Sequence, residues 1–430
     1  MAKTYDTYKD SGIAWIGEIP SEWEVKKNKY LLTQMYSGGT PTASEEKFYT
    51  ENGVPFVSIS DMSTTEYIEV TKKSLTKYGI NNKKLKILPQ GTILYSIYAT
   101  VGAISELMVS ATISQAILAL NLNNSINKQF YKYNLSAMKD YIYSQANGNT
   151  QFNLNAEKVW NFVFCFPPLS EQHSIASFLD TKCGEIDALI SLQEEMISEL
   201  QAYKQSVITE AVTKGLNPHA KMKDSGVEWI GEIPEGWAVC STKHLFNLYS
   251  GATPKTDNDS FWDGNIPWIT PADFKTEDVY ISKGRRNITQ NGVDSCGTTI
   301  VPANSVIFSK RAPIGLVVLN KEPLCTNQGC ISCVPKETFS KYYYYAMSVF
   351  TDSYELYGAG TTFMEISATS FANFKLPNPS FEEQHSIATY LDEKTSQIDS
   401  LIALKQEKIQ ELKDYKKSII YEYVTGKKKV

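Results

Sequence analysis

The sequence has no run of apolar residues long enough to cross a membrane. Such a span needs about 18 or more of them, and this chain of 430 residues also lacks a basic start that leads into an apolar segment. These absences argue against a membrane partner and a secretory signal, so we expect a cytoplasmic protein. Cysteine is scarce too, and seven scattered cysteines fit a reducing compartment better than a disulfide framework.

Motifs for nucleotide chemistry are also missing. No G-x-x-x-x-G-K-[ST] loop occurs, and the one GxG, at 358–360, lacks the third glycine of a dinucleotide-binding fingerprint. His173 and His385 stand beside Glu171 and Glu383 in two EQHSIA segments, where capping or packing competes with acid–base chemistry as the explanation. We find no nucleophile–base pair, and we predict no catalytic residue and no cofactor bound by this chain.

What the sequence does contain is an internal repeat that runs along its whole length. Two segments of fourteen residues, DSGIAWIGEIPSEW and DSGVEWIGEIPEGW, share ten identities, and further matches keep an offset of 212 to 214 residues. The chain is therefore two copies of one unit, each with a globular part and then a helical part. The clearest matches pair 10–23 with 224–237, 37–41 with 250–254, and 171–193 with 383–405.

The two parts of each copy differ in composition. The globular parts hold short apolar runs such as ILYSIYA, broken by turn residues, which is typical of mixed, strand-rich domains. The segments 170–213 and 382–424 contain no proline, which favours one long helix in each. The predicted fold class is α+β, with two strand-rich domains separated by two long helices and a pseudo-two-fold repeat. The predicted boundaries are 1–168 and 216–380 for the domains, and 169–215 and 381–430 for the helices.

Apolar residues recur about every 3.5 positions along both helical segments, which is the pattern of a coiled-coil seam. Each helix packing on its own domain is the alternative. A helix of this length spans about 65 Å, longer than a small domain is wide, so we predict that the two helices pair with each other. The predicted pairing residues are Ile186, Leu189, Met196, Leu200, Tyr203 and Val207 in the first helix, and Ile398, Leu401, Leu412, Tyr415 and Ile419 in the second.

Three cysteines in the segment CTNQGCISC have spacing that suits zinc. The repeat offers another explanation, because the first copy has Ile117 and Leu120 where the second has Cys330 and Cys333. Free cysteine behaves as a small apolar residue, so we predict buried strand cysteines, with Cys325 beside them, and no metal site.

The repeated DSGxxWIGEIPxxW segment opens each globular part with apolar anchors. Trp15, Ile16, Ile19 and Trp23 are the anchors in the first copy. We interpret the segment as a clamp that joins each domain to the helices. A strip that docks another protein through exposed aromatic residues is the alternative.

Together these motifs resemble one family, the specificity (S) subunits of type I restriction–modification enzymes. The motifs are W-I-G-E-I-P-x-x-W, S-G-x-T-P, P-L-x-E-Q-x-x-I-A-x-F-L-D and E-L-x-x-Y-K-x-S-V-I-x-E-A-V-T-K-G, and the joining stretch 210–237 is the most specific. The resemblance covers essentially the whole chain. It implies that each globular part is a target recognition domain reading one half of a bipartite, asymmetric double-stranded DNA target. It also implies that the two helices form an antiparallel coiled coil that sets the spacer between the halves.

The resemblance also implies partners. Two methyltransferase (M) subunits that methylate adenine with S-adenosylmethionine are expected, together with motor–nuclease (R) subunits that use ATP and Mg²⁺, so those cofactors belong to the partners. The net charge does not by itself indicate DNA binding, because 42 basic against 47 acidic residues leave a net charge of −5. A protein-only scaffold with two partner-binding domains and a stand-alone enzyme are the alternatives.

Candidate DNA contacts are hydroxyl and backbone N–H groups for phosphates, amides for adenine and a few cations. An ordinary polar turn is the alternative for S-G-x-T-P. The chain has only three arginines, Arg285, Arg286 and Arg311, so arginine cannot read guanine in the first domain. The candidates are Ser37, Gly38, Gly39, Thr40, Lys47, Tyr98, Gln115, Asn147, Asn149 and Gln151 in the first copy, and Ser250, Gly251, Thr253, Lys255, Lys310, Arg311, Gln328, Thr361 and Thr362 in the second.

Overall fold

The computed structural model describes residues 4–63, 65–144, 154–275, 279–356 and 365–430. The chain divides into two compact units, Met1–Gln193 with Glu407–Val430, and Glu194–Gln406. Each unit therefore combines one globular part with half of each long helix. The α+β fold class is confirmed. The domain boundaries stay a prediction, because the units divide both helices near their middles. Among the described residues, no helix is both long enough and apolar enough to cross a membrane.

The first unit is built mainly from short strands. Its described strands are β1 (Tyr8–Asp10), β2 (Glu18–Pro20), β3 (Glu24–Lys27), β4 (Leu32–Ser37), β5 (Tyr49–Thr50), β6 (Val54–Val57), β7 (Tyr67–Ile68), β8 (Lys73–Leu75), β9 (Ile93–Ser96), β10 (Ile104–Leu107), β11 (Thr112–Ile113), β12 (Ile117–Leu122) and β13 (Val163–Phe166). Its described helices are α1 (Ile59–Met62), α2 (Lys77–Asn82), α3 (Lys128–Ala137), α4 (Lys139–Ser144), α5 (Ala156–Trp160) and α6 (Leu169–Lys214), which continues into the second unit.

A five-stranded sheet in the order β4-β12-β9-β10-β7 forms the centre of the first unit. β12 pairs antiparallel with both β4 and β9, whereas β10 and β7 are parallel. All four residues of β9 are buried, as expected for a continuous apolar strand covered on both faces. A second sheet, β11-β6-β8-β5, and the pairs β1-β2 and β13-β3 complete the unit.

The second unit repeats this plan. Its described strands are β14 (Met222–Asp224), β15 (Glu232–Pro234), β16 (Ala238–Ser241), β17 (Phe246–Ser250), β18 (Trp262–Ile269), β19 (Tyr280–Ile281), β20 (Arg286–Ile288), β21 (Val306–Ser309), β22 (Val317–Asn320), β23 (Cys325–Thr326), β24 (Cys330–Pro335) and β25 (Lys375–Asn378). Its described helices are α7 (Thr242–Leu245), α8 (Gln290–Asp294), α9 (Ser340–Ser348), α10 (Thr351–Leu356), α11 (Ala368–Asn373) and α12 (Phe381–Val424), which continues into the first unit. The sheet order β17-β24-β21-β22-β19 matches the first unit strand for strand, and β20-β18-β23, β14-β15 and β16-β25 complete it.

The prediction of buried strand cysteines is confirmed. Cys330 and Cys333 lie in β24 and Cys325 in β23, all three fully buried and unpaired. Burial raises the pKa of the Cys325 thiol to about 11, so it stays protonated at neutral pH. No cluster of metal-ligating side chains occurs among the residues that the structure describes.

The two long helices run in opposite directions within each unit. In the first unit, Phe178 of α6 packs on Tyr423 of α12 with ring centroids 4.5 Å apart. Further along α6, Asp187 pairs with Lys416 at 2.6 Å. The second unit repeats this ion pair with the helices exchanged, between Lys204 and Asp399 at 2.7 Å. The predicted antiparallel pairing is therefore confirmed inside each unit.

The pairing residues differ in part from the prediction. Ile186, Val207, Ile398 and Ile419 are buried as predicted, and Met196, Leu200 and Leu412 are half-buried. Four predicted residues point outward instead: Leu189 and Leu401 are 47% and 49% exposed, and Tyr203 and Tyr415 are each 56% exposed. These four residues therefore lie outside the seam between the two helices, and Met196 lies beside that seam.

At each of these four places, the residue that follows in the chain faces the partner helix. Ile190 and Ile402 fill the seam with hydrocarbon, while Lys204 and Lys416 cover it with their stems and pair their ammonium groups with aspartate. The seam then follows strict three- and four-residue spacing. Its members are Ile186, Ile190, Gln193, Ile197, Leu200, Lys204, Val207 and Ala211 in α6, and Leu391, Thr395, Ile398, Ile402, Lys405, Ile409, Leu412, Lys416, Ile419 and Tyr423 in α12.

The DSGxxWIGEIPxxW segments lie between the helices and the sheets. In the first unit, Ile16, Ile19 and Trp23 are buried in the core, and the Tyr421 hydroxyl of α12 donates to the Trp15 carbonyl at 3.0 Å. In the second unit, the Trp237 indole N–H donates to Glu383 at the start of α12, also at 3.0 Å. The segment therefore clamps the helices, as interpreted from the sequence.

Two residues one turn apart on α12 test the corrected seam. Ile398→Ala removes a buried side chain and should destabilise the protein by about 2 to 4 kcal/mol. Leu401→Ala trims an exposed side chain and should cost less than about 0.5 kcal/mol. Denaturant unfolding followed by helical circular dichroism measures both. Equal losses of stability would contradict the assignment.

Candidate nucleic-acid interface

Three loops meet at one end of each five-stranded sheet. In the first unit, β4 and β9 end where β12 begins, because Ser37 lies opposite Leu118 and Ser96 opposite Ile117. In the second unit, Ser250 lies opposite Ile331 and Ser309 opposite Cys330 in the same way. We call these surfaces the loop edges. They comprise 38–45, 97–103 and 114–116 in the first unit, and 251–258, 310–316 and 327–329 in the second.

The first loop of each edge is held by a glycine. A Cβ on Gly38 would overlap the carbonyl oxygen of Ile113, and a Cβ on Gly251 would overlap that of Asn327. Only glycine lets the two backbones approach this closely. The S-G-x-T-P motif therefore has a packing role at the point where two loops cross.

The backbone N–H groups of this motif are already used. Gly38 and Gly39 donate to the carbonyls of Ile117 and Ile113, at 3.4 and 3.1 Å. In the second unit, the N–H of Gly251 donates to Cys330 at 3.3 Å, and the next N–H donates to Thr326 at 3.0 Å. The prediction that Gly38, Gly39 and Gly251 offer N–H groups to phosphate is therefore wrong, and the hydroxyls of the motif remain as candidates.

Aromatic side chains from the smaller sheets tie the same loops down. The Tyr49 hydroxyl donates to the Pro41 carbonyl at 2.8 Å in the first unit. In the second unit, the indole N–H of Trp268 donates to Ala252 at 3.0 Å, and that of Trp262 to Lys255 at 3.1 Å. The loops are thus fixed at several points, as a rigid recognition surface requires.

The two loop edges differ in charge: the first has Ile97 and Tyr98 where the second has Lys310 and Arg311. In the first unit, Tyr98 and Gln115 are exposed. In the second unit, the Thr253 hydroxyl donates to the Gln328 side-chain oxygen.

The two predicted lysines outside this comparison, Lys47 and Lys255, are both exposed, and Lys47 pairs with Glu45 at 2.7 Å. Asn147, Asn149, Gln151, Thr361 and Thr362 lie outside the described residues.

Lys310 and Arg311 share one carboxylate. Lys310 Nζ lies 2.7 Å from Glu365 Oε1, and Arg311 Nε lies 2.8 Å from Glu365 Oε2. Partial burial works to raise the pKa of Glu365, but the hydrogen bonds and charges of the two cations outweigh it and hold that pKa below its usual value. Glu365 is therefore ionised at neutral pH, and the three side chains together carry one positive charge.

Two structural carboxylates near the loop edges were not predicted. Asp61 and Asp273 close equivalent capping boxes with Ser58 and Thr270, each accepting from backbone N–H groups. The repeated Ser/Thr-x-x-Asp spacing in the sequence carries this signal. Glu365 carries no such signal, because it lies 54 residues from Arg311 in the chain.

The EQHSIA segments hold the starts of the long helices on the globular parts. Gln172 and Gln384 are buried, and each accepts from a backbone N–H of its own globular part, that of Asn127 or Phe339. His173 contacts the Asn127 amide at 2.8 Å, and the His385 ring packs on Phe339. These contacts explain the repeated histidines as packing residues.

The chain is similar to proteins of one family along most of its length. A family model described as the type I restriction modification DNA specificity domain matches twice, over residues 20–202 and 234–414. The putative type I restriction enzyme MjaX specificity subunit of Methanocaldococcus jannaschii is 27% identical over 96% of both chains. The MjaIX specificity subunit of the same organism is 41% identical over 181 residues, and that match spans 41% of each chain.

Solved structures share the fold. One chain, from work on the complex assembly and conformational transition of the type I R-M system, superposes with a TM-score of 0.71 at 18% identity and covers 94% of this chain and 98% of its own. The HsdS subunit from Thermoanaerobacter tengcongensis gives a TM-score of 0.52 at 17% identity, over 95% of this chain and 98% of its own.

The crossing glycine can be tested against a matched glycine in the same unit. Gly251→Ala should destabilise the second unit by about 2 kcal/mol or more, because its Cβ meets backbone atoms that cannot move aside. Gly297→Ala meets no atom within 4 Å and should change stability by less than about 0.5 kcal/mol. Thermal unfolding distinguishes the variants. Equal stability would show that the loop crossing tolerates a side chain.

Proposed function

Since the chain belongs to the family of type I restriction–modification DNA specificity proteins, we propose that it selects the DNA target of a modification and restriction complex. Each unit reads one half of a bipartite, asymmetric target through its loop edge. The chain carries no catalytic group of its own in this proposal, and methylation and cleavage belong to its partners. A protein-only scaffold is the alternative.

The observation that carries this proposal is a duplicated frame with different loops. The two sheets have the same strand order and the same glycine crossing, so the loop edges present equivalent surfaces. The exposed side chains differ between them: Ile97-Tyr98 in one corresponds to Lys310-Arg311 in the other. Equivalent surfaces with different side chains suit two half-sites of different sequence, because base edges are read by side chains.

We also propose that the paired helices set the spacer between the half-sites. Both α6 and α12 continue from one unit into the other without a break at the unit boundary. A continuous helix is stiff and has a fixed rise of 1.5 Å per residue. The helix length then determines which spacing of half-sites fits the two loop edges.

The outward face of the helices offers a docking surface for the methyltransferase partners. Leu189, Leu192 and Tyr415 are exposed in the first unit, and the repeat places Leu401, Leu404 and Tyr203 in the same arrangement in the second. We call each set an apolar strip. Exposed apolar groups grouped in this way are typical of protein interfaces. Two equivalent strips suit two copies of one subunit. The motor–nuclease subunits would join this complex.

A seven-residue insertion tests target choice and spacing together. One additional helical heptad after Gln193 and one after Gln406 keep the seam in register and add about 10 Å to each helix. DNA advances about 3.4 Å per base pair, so the spacer should lengthen by about three base pairs while both half-sites stay the same. Sequencing of methylated adenines in cells with the partner subunits, with and without this chain, reads out the target.

The control replaces a native heptad with the inserted sequence and leaves the length unchanged, and it should keep the original spacer. An active insertion variant with the original spacer would show that the helices do not set the distance. A methylated motif that does not depend on this chain would contradict the proposed function and favour the scaffold alternative.

The apolar strip of one unit can be removed alone. Leu189→Ala with Tyr415→Ala should lower the number of bound methyltransferase subunits from two to one, because the second strip is intact. Native mass spectrometry of the assembled complex measures this ratio. The control pair Ser191→Ala with Lys413→Ala changes exposed positions on the same helices and should keep both subunits. A strip variant that still binds two subunits would show that the partners dock elsewhere.

A further inference from the structure

Arginine is so rare in this chain that each guanidinium can be followed individually. All three arginines belong to the second unit. Arg285 donates to the Ala272 carbonyl at 2.8 Å, and the Arg286 guanidinium lies 3.7 Å above the Trp262 ring. Arg311 lies on a loop edge, two residues after the end of β21.

We propose that Arg311 reads a guanine in the half of the target assigned to the second unit, and that Glu365 is the residue that positions its guanidinium. This inference rests on the proposed function and goes beyond it by naming a base and the residue that selects it. Three features of the second loop edge support it.

The first feature is a backbone that is held on both sides. The N–H of Lys310 donates to the Gly329 carbonyl at 2.9 Å, and the Lys310 carbonyl accepts from Ile366 at 3.0 Å. Arg311 itself forms a bridge with Glu365. The side chain of Arg311 therefore starts from a fixed point between the Gln328 loop and the strand-like segment at Glu365.

The second feature is the way the guanidinium is held. Glu365 accepts from Nε, which lies on the side of the guanidinium. Among the described residues, the structure records no partner for the two terminal Nη atoms, and the side chain is 46% exposed. Those two atoms are the pair that donates to O6 and N7 of guanine in the commonest specific arginine contact. Glu365 thus orients the group and leaves its reading end available.

The third feature is the second cation. Lys310 is only 13% exposed and binds the other oxygen of Glu365. If Glu365 were paired with Arg311 alone, its carboxylate would cancel the positive charge of Arg311 and would repel nearby phosphate. With Lys310 present, the cluster keeps one net positive charge, which favours an approach to DNA. Lys310 is therefore a supporting residue in this proposal.

In the first unit, the positions equivalent to Lys310 and Arg311 carry no charged side chain. Ile97 makes the same two backbone contacts as Lys310, with Ala116 and Leu154, at 2.9 and 3.1 Å. Tyr98 then corresponds to Arg311 and has a neutral ring in place of the guanidinium. The two halves of the target should differ accordingly, with arginine-read guanine confined to the second half.

The test uses the full chain assembled with its methyltransferase subunits. The target found by methylated-adenine sequencing should contain guanine in its second half. Replacing that guanine with 7-deazaguanine removes the N7 acceptor and should weaken binding of the unaltered complex by about 5- to 150-fold. Arg311→Ala should bind both duplexes about equally, because it leaves no donor that can reach N7.

Arg285→Ala is the charge-matched control and should discriminate between the duplexes like the unaltered complex. A second half without guanine, or an Arg311→Ala complex that is weaker on both duplexes yet still discriminates, would overturn the inference, and the latter would indicate a phosphate contact. If the unaltered chain gives no methylated motif that depends on it, the proposed function is wrong and this inference fails with it. A chain-dependent motif unchanged by Arg311→Ala overturns the inference alone.

The role of Glu365 has its own readout. Glu365→Ala should lose discrimination at the same guanine, and Glu365→Gln should retain it, because an amide oxygen can still accept from Nε. If Glu365→Ala does not fold, Glu365→Asp replaces it, since the shorter carboxylate withdraws from Nε and should also lose discrimination. Full discrimination in the folded alanine or aspartate variant would show that Glu365 does not position Arg311.

Discussion

The pairing of two near-identical helices in opposite directions is the constraint on which the rest of this structure depends. An antiparallel pair of repeats brings equivalent positions together twice, as the ion pairs Asp187–Lys416 and Asp399–Lys204 illustrate. Each core also takes residues from both helices: Ile175 and Ile419 belong to the first, and Val212 and Ile387 to the second. Neither globular part has a complete core without both helices.

A duplicated frame separates the requirements of folding from those of recognition. The residues that build the frame are buried or limited to glycine, so substitution there costs stability. The loop edges project exposed side chains, which can change with little effect on folding. The two edges have diverged in this way, with Tyr98 in one and Arg311 in the other. Even the residues that anchor the loops differ, with Tyr49 in the first unit and Trp268 in the second.

The candidate site could be predicted from the sequence as a set of loops, but not as a set of available atoms. The repeated motifs identified the segments that meet at the loop edges, because equivalent segments occupy equivalent positions in a repeat. The N–H groups of Gly38 and Gly251 could not be judged in the same way. Their acceptors, the carbonyls of Ile117 and Cys330, lie more than 70 residues away in the chain, so no local pattern indicates that these N–H groups are already paired.

The sequence by itself determined the duplication, the strand-rich class, the two long helices and the buried cysteines, because these depend on repeat identity, local composition and periodicity. Tertiary structure alone decided that each unit takes half of each helix, and which of two adjacent apolar rows faces inward. Leu189 and Ile190 fit a helical stripe about equally well. Only the partner helix selects Ile190, because a heptad seam admits one row and leaves its neighbour exposed.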